Sequence, residues 1–339
     1  MKKHETDISR RKFLQRTAGA VALVSAPGLI TSFSAGETDK TLKEGIMRRK
    51  LGKTGLEISI LAFGGGSQFL RNPDGEWEKV LESAIESGIN HFDTASSYTS
   101  ASFNQGGTKS LDSEDRYGQI LPKYRNRIIL STKLESRDAD KAKAELEASL
   151  KRLKTDHVDL LFMHSIQSSD NTAELEKGLY KAMVALKASG MTRNIGFSSM
   201  DSAERSKELL EKLDFDVVLL AMNATKYGNF AGLALPAARK KNTGVIAMKA
   251  VRDIVGNGAS SKELLEYAWT QEGVSAVLVG HYGLPALKEN IQLATDFSKT
   301  GTSGLNREAL ELRLASLASP RILSWARPGY TDGHLSMVC

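Results

Sequence analysis

Four side chains have the types and order needed to move a proton to or from an oxygen atom: Asp93, Tyr98, Lys133 and His164. A free phenol, with a pKa of about 10, is a poor acid at neutral pH. A nearby ammonium favours the phenolate and lowers that value. A carboxylate paired with the lysine holds it in place and offsets the cost of burying it. An imidazole orients a carbonyl oxygen or shares its proton. Together, Lys133, Asp93 and His164 would tune Tyr98 into a general acid that protonates an oxygen while hydride reaches the adjoining carbon. Other titratable residues offer less. His91 and His157 have no second ligand at metal-binding spacing and are assigned to structure, so no metal site is expected. Cys339 is the single cysteine and the last residue, which leaves neither an internal disulfide nor a thiolate metal site.

These four residues stand at the ends of short β-branched runs, and the runs define the architecture. They are Ile58–Gly64, His91–Ala95, Arg127–Leu134, Val158–His164, Thr192–Ser198, Val217–Asn223, Gly244–Lys249 and Val274–Gly280. Helical patterns alternate with them. In Ala139–Leu153, Leu146, Leu150 and Leu153 share one face. Asn171–Glu174, Asp201–Glu204 and Ser260–Glu263 have the form of an N-cap with a reciprocal acid. Pro285 suits a first helical turn. Eight strand–helix units with continuously apolar strands predict an α/β fold, a closed (β/α)8 barrel of the TIM type over residues 45–320. An open doubly wound sheet would need a glycine fingerprint, and Gly64-Gly65-Gly66 lacks the third glycine at the required spacing. Arg48–Leu56 reads as a small N-terminal β-hairpin plugging the bottom of the barrel. In such a barrel, chemistry sits at the carboxyl ends of the strands. Asp93 stands at the end of the second run, Lys133 of the third and His164 of the fourth, with Tyr98 on the loop after the second.

The motifs His91-Phe92-Asp93-Thr94-Ala95-x-x-Tyr98, Ser113-Glu114 with Gly118, Ser131-Thr132-Lys133, Val158-Asp159-Leu160-Leu161-x-x-His164 and Asn194-Ile195-Gly196-Phe197-Ser198 resemble the aldo-keto reductase superfamily. The resemblance runs from about Arg48 to Asn290. It implies the tetrad Asp93, Tyr98, Lys133 and His164, and a cofactor, NADP(H) or NAD(H), lying over the barrel mouth. The cofactor-binding candidates it implies are Gly64, Ser198, Ser199, Asn223, Met248, Lys249, Gly280, His281, Glu289 and Asn290. The sequence departs from the family at several of these. Ser198-Ser199 stands where many members have Ser-Asn, Leu219 takes the slot of a glutamine, and Met248-Lys249 replaces a stacking tyrosine. After the eighth run only His281 occupies the place of the basic residue for a 2′-phosphate, while Glu289-Asn290 matches the adenine-side motif. The resemblance therefore does not choose between the two dinucleotides. The function it implies is interconversion of a carbonyl and an alcohol by hydride transfer, on a small carbonyl or sugar-like substrate. The same residues would serve a sugar-oxidising enzyme. The alternative is a non-catalytic nucleotide-binding sensor or accessory barrel.

Composition sets the outer limits. The chain has 339 residues, of which 41% are hydrophobic and 25% charged, an ordinary globular balance. Six basic residues against Glu5 and Asp7 put +4 of the net +6 within residues 1–36. The rest of the chain lacks the charge excess that nucleic-acid binding needs. Ser9-Arg10-Arg11-Lys12-Phe13-Leu14 precedes an apolar stretch too short and too broken to span a bilayer, which takes about 20 apolar residues. The order resembles a twin-arginine signal peptide over residues 1–36. It implies the twin-arginine export machinery as a partner and a periplasmic or otherwise exported protein, moved with its cofactor bound. Thr99–Asp112, rich in Gly, Ser and Thr, is an insertion at the mouth, either a lid or a surface loop. The tail 321–339, with Trp325, Pro328 and Tyr330, either folds over the mouth or extends away from it.

Overall fold

The computed structural model describes residues 45–100, 111–330 and 332. The chain enters through a hairpin of β1 (Arg48–Lys50) and β2 (Glu57–Ser59), paired antiparallel. Eight parallel strands follow: β3 (Leu61–Gly64), β4 (His91–Asp93), β5 (Ile129–Leu134), β6 (Val158–Ile166), β7 (Thr192–Ser199), β8 (Val217–Ala221), β9 (Gly244–Met248) and β10 (Val274–Gly280). They close into a barrel in sequence order, with β10 paired to both β3 and β9. The run expected as one strand, Ile58–Gly64, is divided. Its first residues complete the hairpin, and only Leu61–Gly64 enters the barrel. The hairpin turn lies against the amino ends of the last two strands. Lys53 N–H donates to the Asn242 carbonyl, and Ser275 Oγ donates to the Lys50 carbonyl. Leu51 is wholly buried against Gly244, where even a methyl group would not fit.

Strands β3, β4, β5, β8 and β9 are buried at every position, as a parallel sheet covered on both faces requires. Helices supply the outer cover. The pattern over Ala139–Leu153 becomes a short 3-10 turn followed by the α-helix Ala142–Leu153, with Leu146, Leu150 and Leu153 facing the sheet side. Helix Ser113–Ile120 crosses that helix so closely that a Cβ on Gly118 would stand 1.9 Å from the Arg152 carbonyl oxygen. Ser260 and Glu263 form the full reciprocal cap, and Asn171 caps its helix through its own side chain. The middle cap differs from expectation. Ser202, not Asp201, accepts from the helix, while Asp201 accepts from the Ser168 N–H. Asp159 on β6 accepts from Leu130 N–H on β5 and pairs with Arg125 and Arg193, so a buried carboxylate cross-links neighbouring strands. Among the described residues, no helix is long and apolar enough to cross a membrane.

Two features of the ends depart from the sequence reading. Leu323 and Trp325 are buried and Trp325 packs edge-on against Tyr227, so the packed unit continues past residue 320. His281, a cofactor-binding candidate, is buried with no exposed surface. Its ring stacks on Phe63 with centroids 5.3 Å apart, and neither ring nitrogen has a partner. An apolar wall on one side and the Asn72 amide on its carbonyl hold it inward.

Burial pushes His281 down to about 3 and His91 down to about 4. An unfolded histidine titrates near about 6.5, so below that pH the unfolded chain binds more protons than the folded one. The stability gained from keeping these rings neutral is fully present above pH 6.5 and is lost as pH falls toward 4. Denaturation midpoints measured between pH 7 and 4.5 should fall, each ring adding up to about 1.4 kcal/mol per pH unit. His281→Phe, which keeps the stack on Phe63, should flatten that slope. An unchanged slope would show that His281 is not held neutral in the core.

Candidate active site

Asp93 is the last residue of β4 and Lys133 lies one residue before the end of β5, so the parallel register brings them to the same rim. Lys133 Nζ donates to Asp93 Oδ2 at 2.7 Å and to the Thr94 carbonyl at 2.7 Å. Both side chains are 1% exposed, which makes this a buried ion pair rather than a surface one. Ser131, two residues before Lys133 and on the same side of the strand, donates to Asp93 Oδ1 at 2.7 Å. Both Asp93 oxygens and two of the three Lys133 N–H groups are thus engaged, as a buried pair requires. The Asp93 carbonyl accepts from Gly65 N–H at 2.7 Å, which draws the glycine turn against the site. A Cβ at Gly65 would stand 2.5 Å from Ser113 Oγ, so only glycine lets the two segments meet.

Tyr98 is held just beyond. Its N–H donates to the Ala95 carbonyl, and its own carbonyl accepts from Ser113 N–H. Its ring lies under Lys133, with Nζ 4.6 Å from the centroid, and edge-on to His164 at 5.8 Å. No hydrogen bond joins its hydroxyl to Lys133 or His164 among the described residues. The expected lowering of the phenol is reversed. Burial pushes Tyr98 well above its usual range, and the carboxylates of Asp332, Asp93 and Glu135 push the same way. Lys133 faces the ring but commits its N–H groups to Asp93 and Thr94. Tyr98 is therefore firmly protonated.

His164 sits where β6 loses its regular register against β7, and the next residue, Ser165, adopts a left-handed φ of 50°. Irregularities of this kind re-aim side chains at barrel rims. His164 Nδ1 lies 2.7 Å from both carboxylate oxygens of Glu135, while Nε2 is buried without a partner. Glu135 escaped the sequence reading. The available signal was strand alternation, because Ser131, Lys133 and Glu135 fall on one side of the same run. Burial alone would raise the Glu135 carboxyl, but the hydrogen bond and charge of His164, with Ser97, hold it below its usual value.

A cleft of about 470 Å³ opens beside Tyr98 between the ends of β3, β9 and β10. Asp93, Tyr98, Gly64, Met248, Lys249 and Gly280 line it, and Leu219 supplies an apolar floor. The other cofactor candidates do not reach it. Ser199 is fully buried and donates to the Ile166 carbonyl, and Ser198 Oγ accepts from Ser165 N–H. Asn223 Oδ1 accepts from Thr225, and its amide donates to the Lys249 carbonyl, so Asn223 shapes a turn. His281 faces the core. Glu289 and Asn290 lie on helix Gly283–Thr300, outside the cleft lining.

The described part of the tail, 321–330 and Asp332, folds over the mouth. Lys249, itself at a left-handed φ of 59°, pairs with Asp332 inside the cleft. Arg252 donates to Tyr330 Oη at 2.8 Å and to Ser67 Oγ at 3.0 Å. Burial lowers Lys249, and although burial opposes it, the Lys249 charge holds Asp332 well below the usual carboxylate range. Arg252, Tyr330 and Asp332 carried no motif in the sequence. The stretch read as a lid or loop, Thr99–Asp112, lies mostly outside the described residues, as does the segment 1–36.

Residues 61–273 match the aldo/keto reductase family. Over 318 aligned residues the chain is 26% identical to L-galactose dehydrogenase of Arabidopsis thaliana, an alignment covering 82% of this chain and 96% of that protein. It is 27% identical over 293 residues to the uncharacterized oxidoreductase YqkF of Bacillus subtilis, covering 73% and 90%. The solved structure of aldo-keto reductase AKR11C1 from Bacillus halodurans shares the fold, with a TM-score of 0.62 at 20% identity over 83% of this chain and 99% of that one. The family match takes in β3 through β9 and all four residues gathered at the rim, and on that match the chain belongs to the aldo/keto reductase family of oxidoreductases.

Proposed function

We propose that the chain interconverts a small carbonyl compound and its alcohol by hydride transfer, using NADP(H) or NAD(H), with Tyr98 as the general acid and base. The observation that carries this reading is the shared rim of Tyr98, His164 and the buried Asp93–Lys133 pair at the head of the cleft. The cleft suits an anionic dinucleotide. Arg252, and Lys249 once released from Asp332, line it as cations for phosphate oxygens, Leu219 and Met248 offer apolar surface for a ring, and Gly64 and Gly280 leave its wall bare of side chains. When bound, the nicotinamide ring supplies or accepts the hydride. The chain's own residues manage the oxygen. The Tyr98 hydroxyl, kept protonated, gives its proton to the oxygen as negative charge develops there, since an alkoxide is far more basic than any phenolate. The Lys133 ammonium over the ring face steadies the phenolate left behind, and Asp93 keeps that ammonium in place. His164 Nε2, unpartnered in its pocket, meets the same oxygen and fixes its orientation.

The name of the Arabidopsis relative, L-galactose dehydrogenase, supports a sugar-like substrate, oxidised or reduced by these same groups. A non-catalytic nucleotide sensor would have no use for the whole tetrad. The export reading rests on Arg10-Arg11 and the apolar stretch behind them. It places the protein in the periplasm, or otherwise outside the cytoplasm, with its cofactor loaded before transport.

Tyr98→Phe should lower kcat about 100-fold or more while NADPH or NADH affinity by calorimetry stays within about twofold. Unchanged turnover would remove Tyr98 from the chemistry, and failure of the native chain to bind either dinucleotide would sink the reading. For export, changing Arg10 and Arg11 together to lysine should shift the protein from the periplasmic to the cytoplasmic fraction. An unaltered distribution would rule out the twin-arginine route.

A further inference from the structure

Glu135 is placed to do more than fill space beside His164. It follows directly on β5, and its two oxygens both lie 2.7 Å from His164 Nδ1. Ser97 Oγ, on the loop that carries Tyr98, donates to Glu135 Oε1 at 2.8 Å. One carboxylate thus ties together the end of β5, the end of β6 and the tyrosine loop. A nitrogen set between two carboxylate oxygens must carry the hydrogen, so Nδ1 is the donor. If the ring held only that proton, Nε2 would be a bare acceptor buried with no donor to satisfy it. If the ring holds two, Nε2–H is a buried donor awaiting an acceptor, which is what a carbonyl oxygen or nascent alkoxide provides.

The charges around the ring favour the second state. Glu135 faces it from β5, and Asp332, whose charge is already met by Lys249, adds little from the tail. Lys133 is the nearby cation behind Tyr98, and its charge is balanced by Asp93, while Lys249 is balanced by Asp332. Tyr98 itself presents a neutral phenol edge-on. We propose that Glu135 is a positioning residue that holds His164 as an imidazolium, with Nε2–H directed at the reacting oxygen. Glu135 touches neither substrate nor cofactor and acts only through His164. The proposal rests on the oxidoreductase reading solely for the identity of that oxygen.

Nitrogen-15 NMR of the full chain labelled at histidine, recorded at pH 7, reads the ring directly. Six histidines are present, and the spectrum of His164→Gln assigns the signal. The native chain should show both His164 nitrogens protonated, and Glu135→Gln should show one. Glu135→Asp, which keeps the charge on a shorter arm, should restore the doubly protonated form in part. With NADPH or NADH and an activated aldehyde such as 4-nitrobenzaldehyde, Glu135→Gln should lose about 100-fold in kcat with KM within about twofold, the scale of losing one preorganised donor to a developing oxyanion. A neutral His164 ring in the native chain overturns the proposal without recourse to any variant. So does a ring that keeps its charge in folded Glu135→Gln, or a variant whose kcat is unchanged. Absence of turnover in the native chain sinks the oxidoreductase reading, and the spectrum still decides whether Glu135 holds the imidazolium.

Discussion

The constraint on which the site depends is the buried pair between Asp93 and Lys133. Two charges with almost no exposure to water are expensive to keep, and pairing alone rarely repays the desolvation. Here the cost is offset by further hydrogen bonds, from Ser131 to the other carboxylate oxygen and from the ammonium to the Thr94 carbonyl. A pair of well-packed apolar residues would make an equally good barrel. What it could not provide is a fixed ammonium over the Tyr98 ring. The pair is therefore better explained by what it does to the phenol than by what it adds to stability.

The rest of the architecture serves to keep that arrangement stationary. Parallel register sets Asp93 opposite Ser131 and brings Lys133 to the same end. The irregular end of β6 turns His164 toward them, and a glycine at position 65 lets the first loop close on the Asp93 carbonyl. Around this rim the cleft is lined by apolar Leu219 and Met248, cationic Lys249 and Arg252, and the carboxylates of Asp93, Asp253 and Asp332. The tail completes it, since Asp332 neutralises Lys249 from within the cleft. Any anionic ligand meeting Lys249 must exchange with that carboxylate. Charge, rather than shape alone, governs entry.

Much of this was legible in the sequence because strand ends are conspicuous. A β-branched run broken by a polar residue marks where a barrel strand reaches the rim, and Asp93, Lys133 and His164 each lie at such a break. The closed barrel followed from the same runs, apart from the division of Ile58–Gly64 at a bend, and the entry hairpin from the stretch Arg48–Leu56 ahead of them. What the sequence hid was direction. Ser199, Asn223 and His281 also stand at or just beyond strand ends, yet they turn into the packing, because neighbours such as the Ile166 carbonyl, Thr225 and Phe63 lie behind the rim. Glu135 was passed over for the opposite reason: it reads as a solvated charge after a strand, and only the placement of His164 gives it a partner. The tail residues have no pattern of their own, and their meaning comes from Lys249 and Arg252, contributed from far earlier in the chain. The reversal at Tyr98 has the same origin. Pairwise reasoning weighed one ammonium, whereas the folded site also sets three carboxylates and full burial against the phenolate.

The most direct measurement follows the hydride itself. The native chain and Lys133→Met are each incubated with NADPH or NADH doubly deuterated at the transferable ring carbon and a panel of small aldehydes and aldoses, and the product alcohols are analysed by mass spectrometry. The account predicts one deuterium on the former carbonyl carbon with the native chain, and roughly 100-fold slower labelling by a folded Lys133→Met. Product without deuterium, or labelling undiminished once the buried ammonium is gone, would contradict it.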